Sequence, residues 1–172
     1  MMELTIRYAR ADEAEGILRL TQASFASQGS LDPPSGVFLE TVDSVLEAMT
    51  AGVVYVAEHE GELVGVARVR PIDEPCAIYC GRLAVRVDVQ NRGVGHALMA
   101  QVERHARAEG YPAVVVGVRL GLPRNLRFFQ KLGFRIISEH SHAGHEQPTY
   151  VRLCKDLDPP VQGNDSHLEI AT

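Results

Sequence analysis

The chain has 172 residues, 45% hydrophobic and 23% charged, with a net charge of −5 from 17 basic and 22 acidic side chains. That length favours one domain able to bury a core without staples, the composition is globular rather than disordered or fibrous, and no apolar run approaches the ~20 residues that cross a bilayer. A negative balance argues against a general nucleic-acid binder; three cysteines make no disulfide framework, and the start MMELTIRYARADEAEG has acidic residues where an export signal needs apolar ones. The expectation is a cytoplasmic protein with neither nucleic acid nor membrane as a partner, and a homodimer is left open.

LTIRYA near the start alternates apolar and polar residues, as a half-buried strand does. Asp12 stands as a cap before an amphipathic helix carrying Ile17, Leu18 and Leu20. SLDPPSG at 30–36 is a turn-rich loop, and from Thr41 the run VDSVLEAMTAG reads as a second helix stopping at Gly52. VVYVAEHEGELVGVARVR then reads as two strands joined near Glu60 and Gly61, a hairpin, and AIYCGRLAVRV as another strand. The clearest helix covers 94–109, with Val94, Leu98, Val102 and Ala106 spaced by four and Gly110 as its stop. AVVVGVRL is apolar enough for a central strand, PRNLRFFQKLG a short helix ending at Gly133, and FRIISEH and PTYVRLCKDL are further strands. The order is β-α-α-β-β-β-α-β-α-β-β over residues 3–157, read as one domain, with 158–172 a loose tail. Strands on either side of the 94–109 helix require a crossover, hence a parallel pair. The fold class is α/β (α+β): a mixed, largely antiparallel sheet of six to seven strands with a parallel central pair and helices on both faces.

Charge is unevenly spread. Residues 82–135 hold ten basic and three acidic side chains, a net of +7, while the remainder is at −12. Such a split suggests that the central third meets an anion, against the plainer reading of solvated helix faces.

The stretch LAVRVDVQNRGVGHALM places a strand end, a loop with Gly93 and Gly95, and a long helix in immediate succession. Glycine lets backbone approach a ligand, and the free N–H groups of a helix's first turn attract anions, so this is a diphosphate cradle in outline. It is not a P-loop, because no Lys follows Gly95, and not a dinucleotide fingerprint, because Leu98 or Met99 stands where a third glycine belongs.

The remaining pattern, Gln-x-x-Gly-x-Gly after Leu-Ala-Val, resembles the GNAT superfamily of N-acetyltransferases. RLAVRVDVQNRGVGHALM is similar to that family's acyl-CoA signature, and FFQKLGF to its later helix-to-strand signature. The resemblance implies acetyl-CoA as co-substrate and no metal. By position it makes Leu83, Ala84 and Val85 a splayed strand pairing with the pantetheine arm. Gln90, Asn91, Arg92, Gly93, Val94, Gly95 and His96 would wrap the pyrophosphate, and Asn125 and Phe128 would face the thiol end. It also implies direct attack of a primary amine, of a small molecule, on the thioester, with backbone N–H groups at the strand break stabilising the oxyanion.

Two positions depart from the family pattern. Phe129 stands where many members carry a Tyr that protonates the leaving thiolate. Tyr79, a poor base at neutral pH, stands six residues before Val85, where some members carry a Glu. The segment His140-x-His142-x-x-His145 has a spacing that could recruit a metal, but without a nearby Cys it reads as a solvated or substrate-facing loop. His142 and His145 are candidate proton acceptors there, and Tyr79 a candidate for orienting water or substrate. Other readings stay open at this level: transfer to a protein or peptide amine, a CoA-binding regulatory module without turnover, and a metal-dependent hydrolase built on the histidines.

Overall fold

The computed structural model describes residues 2–158; of the expected tail, residues 159–172 lie outside them. Strand β1 (Thr5–Tyr8) leads into helix α1 (Ala14–Ala26), a loop, and helix α2 (Val42–Ala51). A meander follows: β2 (Val53–His59), β3 (Glu62–Ile72) and β4 (Ala77–Val85). Helix α3 (Val94–Ala108), strand β5 (Ala113–Arg119), helix α4 (Pro123–Lys131) and strands β6 (Arg135–His140) and β7 (Tyr150–Asp156) complete the chain. The order expected from the sequence is the order found, with short 3-10 turns added at the loops.

One start signal is corrected. Asp12 does not cap α1: a 3-10 turn, Ala11–Glu13, runs straight into it, with Arg10 at the turn's N-cap position. Glu13 closes that start, accepting the Arg10 backbone N–H at 2.8 Å and pairing with Arg7 at 2.6 Å. A carboxylate at the third position reaches back to the cap N–H, whereas Asp12 points into solvent with 77% of its side chain exposed.

The strands form one seven-stranded sheet in the order β1-β2-β3-β4-β5-β7-β6. Every neighbouring pair is antiparallel except β4 and β5, which the α3 crossover makes parallel. The β2–β3 hairpin turns at Glu60 and Gly61, both in the left-handed region at φ 51° and 80°. β7 slots between β5 and β6, so the last strand of the fold is interior and β6 is an edge.

Two helices cover each face. α1 and α2 bury Ala14, Ile17 and Val45 against Val54, Val56 and Val66. α3 lays Val94, Leu98, Val102 and Ala106, the four residues spaced by four, onto Ala67, Val69, Ile78 and Cys80, and Phe129 of α4 joins the same cluster. No helix among the described residues is long and apolar enough to cross a membrane.

Gly65 sets how closely α3 approaches the sheet. A β-carbon there would stand 2.7 Å from Val94 Cγ1, 2.8 Å from Leu98 Cδ1 and 3.3 Å from the Ala84 carbonyl oxygen. Gly65→Val should therefore lower the urea midpoint at unchanged m-value, a loss of about 1–3 kcal/mol from overpacking. An unshifted midpoint would mean that α3 lifts off the sheet without cost.

Candidate functional site

The sheet is built to open. β4 and β5 pair over only three positions, from Ile78 beside Val114 to Cys80 beside Val116. β4 then continues to Val85 along β3, and β5 to Arg119 along β7, with no ladder between them. The cause is a bulge. Arg68 of β3 faces Gly81 while Val66 faces Ala84, so β4 spends one residue more than β3 over that interval. Arg82 takes up the extra length in the left-handed region, φ 49°. Leu83, Ala84 and Val85, expected as the splayed strand, are the residues beyond the bulge.

The glycine loop lies at the end of that splay. The Gln90 side chain donates to the Val85 carbonyl oxygen at 3.2 Å and ties the loop to the strand. Asn91 and Gly93 turn the chain with φ of 62° and 90°. Gly93 is the N-cap residue of α3, which has no capping side chain and no acidic residue in its first turn. The first backbone N–H with a partner is that of Ala97, bonded to the Gly93 carbonyl oxygen at 3.0 Å, so those of Val94, Gly95 and His96 are free to bind an anion. A β-carbon on Gly93 would meet nothing within 4 Å, whereas one on Gly95 would lie 3.2 Å from the Phe128 ring. Phe128 therefore packs over the helix start, with the His96 ring edge-on at 5.1 Å. Arg124 and Asn125 occupy the first turn of α4 opposite.

Splay, loop and α4 share one cleft of about 1680 Å³. It extends through the sheet opening to the face opposite α3, where Ser24 and Phe25 of α1, Gln28 just beyond that helix, the 33–36 loop and the 141–143 loop enclose it. Its side chains are one-sided in charge. Arg68, Arg70, Arg82, Arg119, Arg124 and Arg152 line it, and among the described residues no Asp or Glu does. Three of these six lie outside the basic central stretch 82–135, while Arg86, Arg107 and Arg135 of that stretch pair with surface carboxylates instead. The cleft's charge comes from the topology rather than from that clustering along the chain.

Glu40, just behind the lining, holds two of the arginines. Its carboxylate accepts from Arg68 Nη1 and Nη2 at 3.1 and 2.8 Å and from Arg82 Nε at 2.9 Å. Burial works against its ionisation, but the bonds from Arg68 and Arg82 together outweigh burial and hold the carboxyl below its ordinary value. Arg82 also lies 5.9 Å from the Phe25 ring centroid. Three buried side-chain atoms among the described residues have no hydrogen-bond partner, Gln28 Oε1, Arg68 Nε and Arg119 Nε, and all three belong to cleft residues.

The three candidate catalytic residues separate. Tyr79 lines the cleft on β4, beneath the Arg70 guanidinium at 4.8 Å from the ring centroid. Burial is the main cause that pushes its hydroxyl above the ordinary tyrosine value. His142 lines the cleft as well, its Nδ1 in a 2.5 Å hydrogen bond with Thr149 Oγ1. Loss of solvent, then Arg119 and His145, hold His142 below the usual imidazole value. His145 is turned outward to exposed Asp32 at 3.4 Å. His140 stacks on Tyr150, and no group of three or more potential metal ligands occurs among the described residues. Phe129 is 7% exposed, packed edge-on between Phe128 and Phe134, and offers no proton to the cleft.

Arg70, Arg152 and Glu40 carry no motif and were not singled out in the sequence. The alternation Arg68-Val-Arg70 signals two arginines on one strand face, but that Arg152 joins them follows only from the insertion of β7 beside β5.

A family model described as the acetyltransferase (GNAT) family matches residues 2–134, more than half of the chain. Similar solved structures include the PaiA N-acetyltransferase of Thermoplasma acidophilum in complex with coenzyme A, 14% identical with a TM-score of 0.75, covering 91% of this chain and 100% of that one. The ribosomal-protein-S18-alanine N-acetyltransferase of Escherichia coli is 13% identical with a TM-score of 0.72, covering 95% and 98%. The yncA protein of Salmonella typhimurium, solved with its cofactor acetyl-CoA, is 17% identical with a TM-score of 0.69, covering 95% and 99%. At these identities the likeness is one of fold. No curated protein matches the chain.

Glu40 generates a pH-dependent prediction. Glu40→Gln should cost roughly 2 kcal/mol near neutral pH, the scale of hydrogen bonds to a charged group. Because the folded carboxyl titrates below its unfolded value of about 4.3, its contribution is whole above that pH and is lost as pH falls through the lowered folded value. Urea unfolding of wild type and variant should therefore converge on the acid side of about pH 4; a gap that stays constant to pH 3 would remove Glu40 from this role.

Proposed function

The chain belongs to the acetyltransferase (GNAT) family, and from that membership we propose that it is an N-acetyltransferase passing the acetyl group of acetyl-CoA to the primary amine of a small molecule. The observation that carries this reading is the meeting, in one cleft, of the free first-turn N–H groups of α3 with the open end of β4 and β5. The residues present fit such a co-substrate. Gly93 leaves its surroundings open, the Val94–His96 N–H groups lack acceptors, and the cleft runs on from them between the strands.

In this reading Gln90, Asn91, Arg92, Gly93, Val94, Gly95 and His96 hold the pyrophosphate; Leu83, Ala84, Val85, Asn125 and Phe128 hold the pantetheine arm. Bound there, acetyl-CoA supplies an activated acetyl group to a nucleophile. The chain's own task is to place a neutral amine beside it. Among the described residues, no carboxylate lines the cleft to take the ammonium proton. Tyr79, kept protonated by burial, is a hydrogen-bond donor that orients the acceptor rather than a base. His142, held below the usual imidazole value, supplies the neutral imidazole that a proton acceptor must be. Backbone beyond Cys80, without a ladder partner on the β5 side, offers donors for developing negative charge.

Thiol release from acetyl-CoA in the presence of an amine panel tests the activity directly; absence of release with every amine and peptide would overturn it. For the loop, Gly95→Val drives a side chain into the Phe128 ring and the anion site, and calorimetry should show CoA affinity falling by at least about tenfold in a folded variant. Unchanged affinity would move the co-substrate elsewhere.

For the proton acceptor, His142→Ala should lower kcat/KM and abolish an acid limb in its pH profile. Because the imidazole is held below its ordinary value of about 6.5, that limb lies on the acid side of it, with activity lost as pH falls and His142 becomes charged. A limb unchanged in His142→Ala would assign the proton to water.

A further inference from the structure

We propose that the acceptor carries a carboxylate beside its amine, in the manner of an amino acid, and that Arg70, Arg119 and Arg152 bind it on the sheet face opposite α3. This rests on the acetyl-transfer reading for the ligand's role as acceptor, but the binding chemistry stands on the cleft alone.

The placement follows from strand alternation. Val69, Val118, Val151 and Leu153 pack in the α3-side cluster, so their neighbours Arg70, Arg119 and Arg152 project from the other face. Tyr79, between Ile78 and Cys80 of that cluster, shares this side. Arg70 stands across from Tyr79 on β3, and Arg152 across from Gly117 on β7. The glycine at 117 is needed there, since a β-carbon would lie 2.9 Å from the Tyr79 hydroxyl. Arg70 beside Tyr79 and Arg152 beside Gly117 thus line one face of the cleft with Arg119, while the α3 loop and Arg124 of α4 serve the opposite side.

The charges on this face do not balance. Glu40 satisfies Arg68 and Arg82. Arg70 and Arg152 have no ion pair and no hydrogen bond to a protein acceptor among the described residues, and Arg119 spends one Nη on the Pro33 carbonyl oxygen while its Nε is buried without a partner. Asp32, whose charge acts on Arg119, is 91% exposed, lies 3.4 Å from His145 and does not line the cleft. An ammonium with no negative charge of its own would enter a cleft of guanidinium groups against repulsion. A carboxylate on the same molecule reverses the sign and accepts from the planar fork geometry of arginine.

The experiment is calorimetric titration of the full-length protein, saturated with CoA, with free amino acids of small, aliphatic, aromatic and acidic side chains and with the corresponding amino acid amides. A short acidic peptide forms a third arm. At least one amino acid should bind, with its amide at least about tenfold weaker. Arg70→Gln and Arg152→Gln should each weaken the acid by on the order of tenfold to a hundredfold, with CoA binding unaffected and the amide bound no more weakly than before. Equal binding of acid and amide, no carboxylate binding, or equal loss of both ligands in the arginine variants would overturn the proposal. Preference for the acidic peptide over every amino acid would overturn a small-molecule acceptor. Carboxylate binding without thiol release would overturn acetyl transfer and leave the carboxylate site standing.

Discussion

The structure turns on one extra residue in β4, and a single carboxylate secures it. Arg82, at φ 49°, holds a backbone conformation that costs a non-glycine residue of order 1–3 kcal/mol. Glu40 offsets a cost of that size by accepting from the Arg82 Nε and the Arg68 fork together. Glu40 in turn is fixed by the segment between α1 and α2. There a 3-10 turn, Gly36–Leu39, buries Val37, and Gln22 of α1 donates to the Val37 carbonyl oxygen at 3.1 Å. The helical layer on one face therefore reaches through Glu40 to the bulge, and the bulge sets where β4 leaves β5. Cleft, loop position and α3 start all depend on that divergence.

The same device divides the labour between the faces. The α3 face carries the free N–H groups that suit phosphate, and the opposite face carries arginines that suit an anion of another kind. The two meet through the opening between β4 and β5, past Tyr79, Gly81 and Gly117. Glycine at 81 and 117 makes room in that opening for Tyr79, since β-carbons would stand 3.1 Å from its ring and 2.9 Å from its hydroxyl. Closing the ladder beyond Cys80 and Val116 would seal it and leave two unconnected pockets.

Much of the fold was legible because apolar spacing is a local property. Val94, Leu98, Val102 and Ala106 announce α3, Gly110 at φ 80° ends it, and the strands on either side force the parallel pair. The glycine loop was legible for the same reason, since loop and helix start are contiguous. The bulge was not, because an extra residue is defined only against a partner strand and Arg82 is no glycine to flag a left-handed turn. The cap at Arg10–Glu13 misled because Asp12 has the commoner capping side chain. The arginines of the face opposite α3 stayed hidden because Arg70, Arg119 and Arg152 come from three strands whose adjacency is topological.

On the proposed reading, the absence of any carboxylate among the lining residues does chemical work. An alkyl ammonium titrates near 10, so about three pKa units, roughly 4 kcal/mol, separate it from a neutral nucleophile at pH 7. One unpaired guanidinium at about 7 Å, with an effective dielectric near 20, contributes a little over 2 kcal/mol of repulsion to the charged form. Two such groups supply about the whole shift. A substrate carboxylate bound by these arginines cancels part of their field, and only the remainder acts on the ammonium. A glutamate placed as a base would work in the opposite direction, stabilising the ammonium it was meant to deprotonate. Fixed positive charge lowers the ammonium's pKa but takes no proton away, so His142, held neutral by loss of solvent and by Arg119, remains the group that accepts it and passes it to water. Under that arrangement a tyrosine at 79 and a phenylalanine at 129 are coherent choices: one donates without accepting, and the other excludes water.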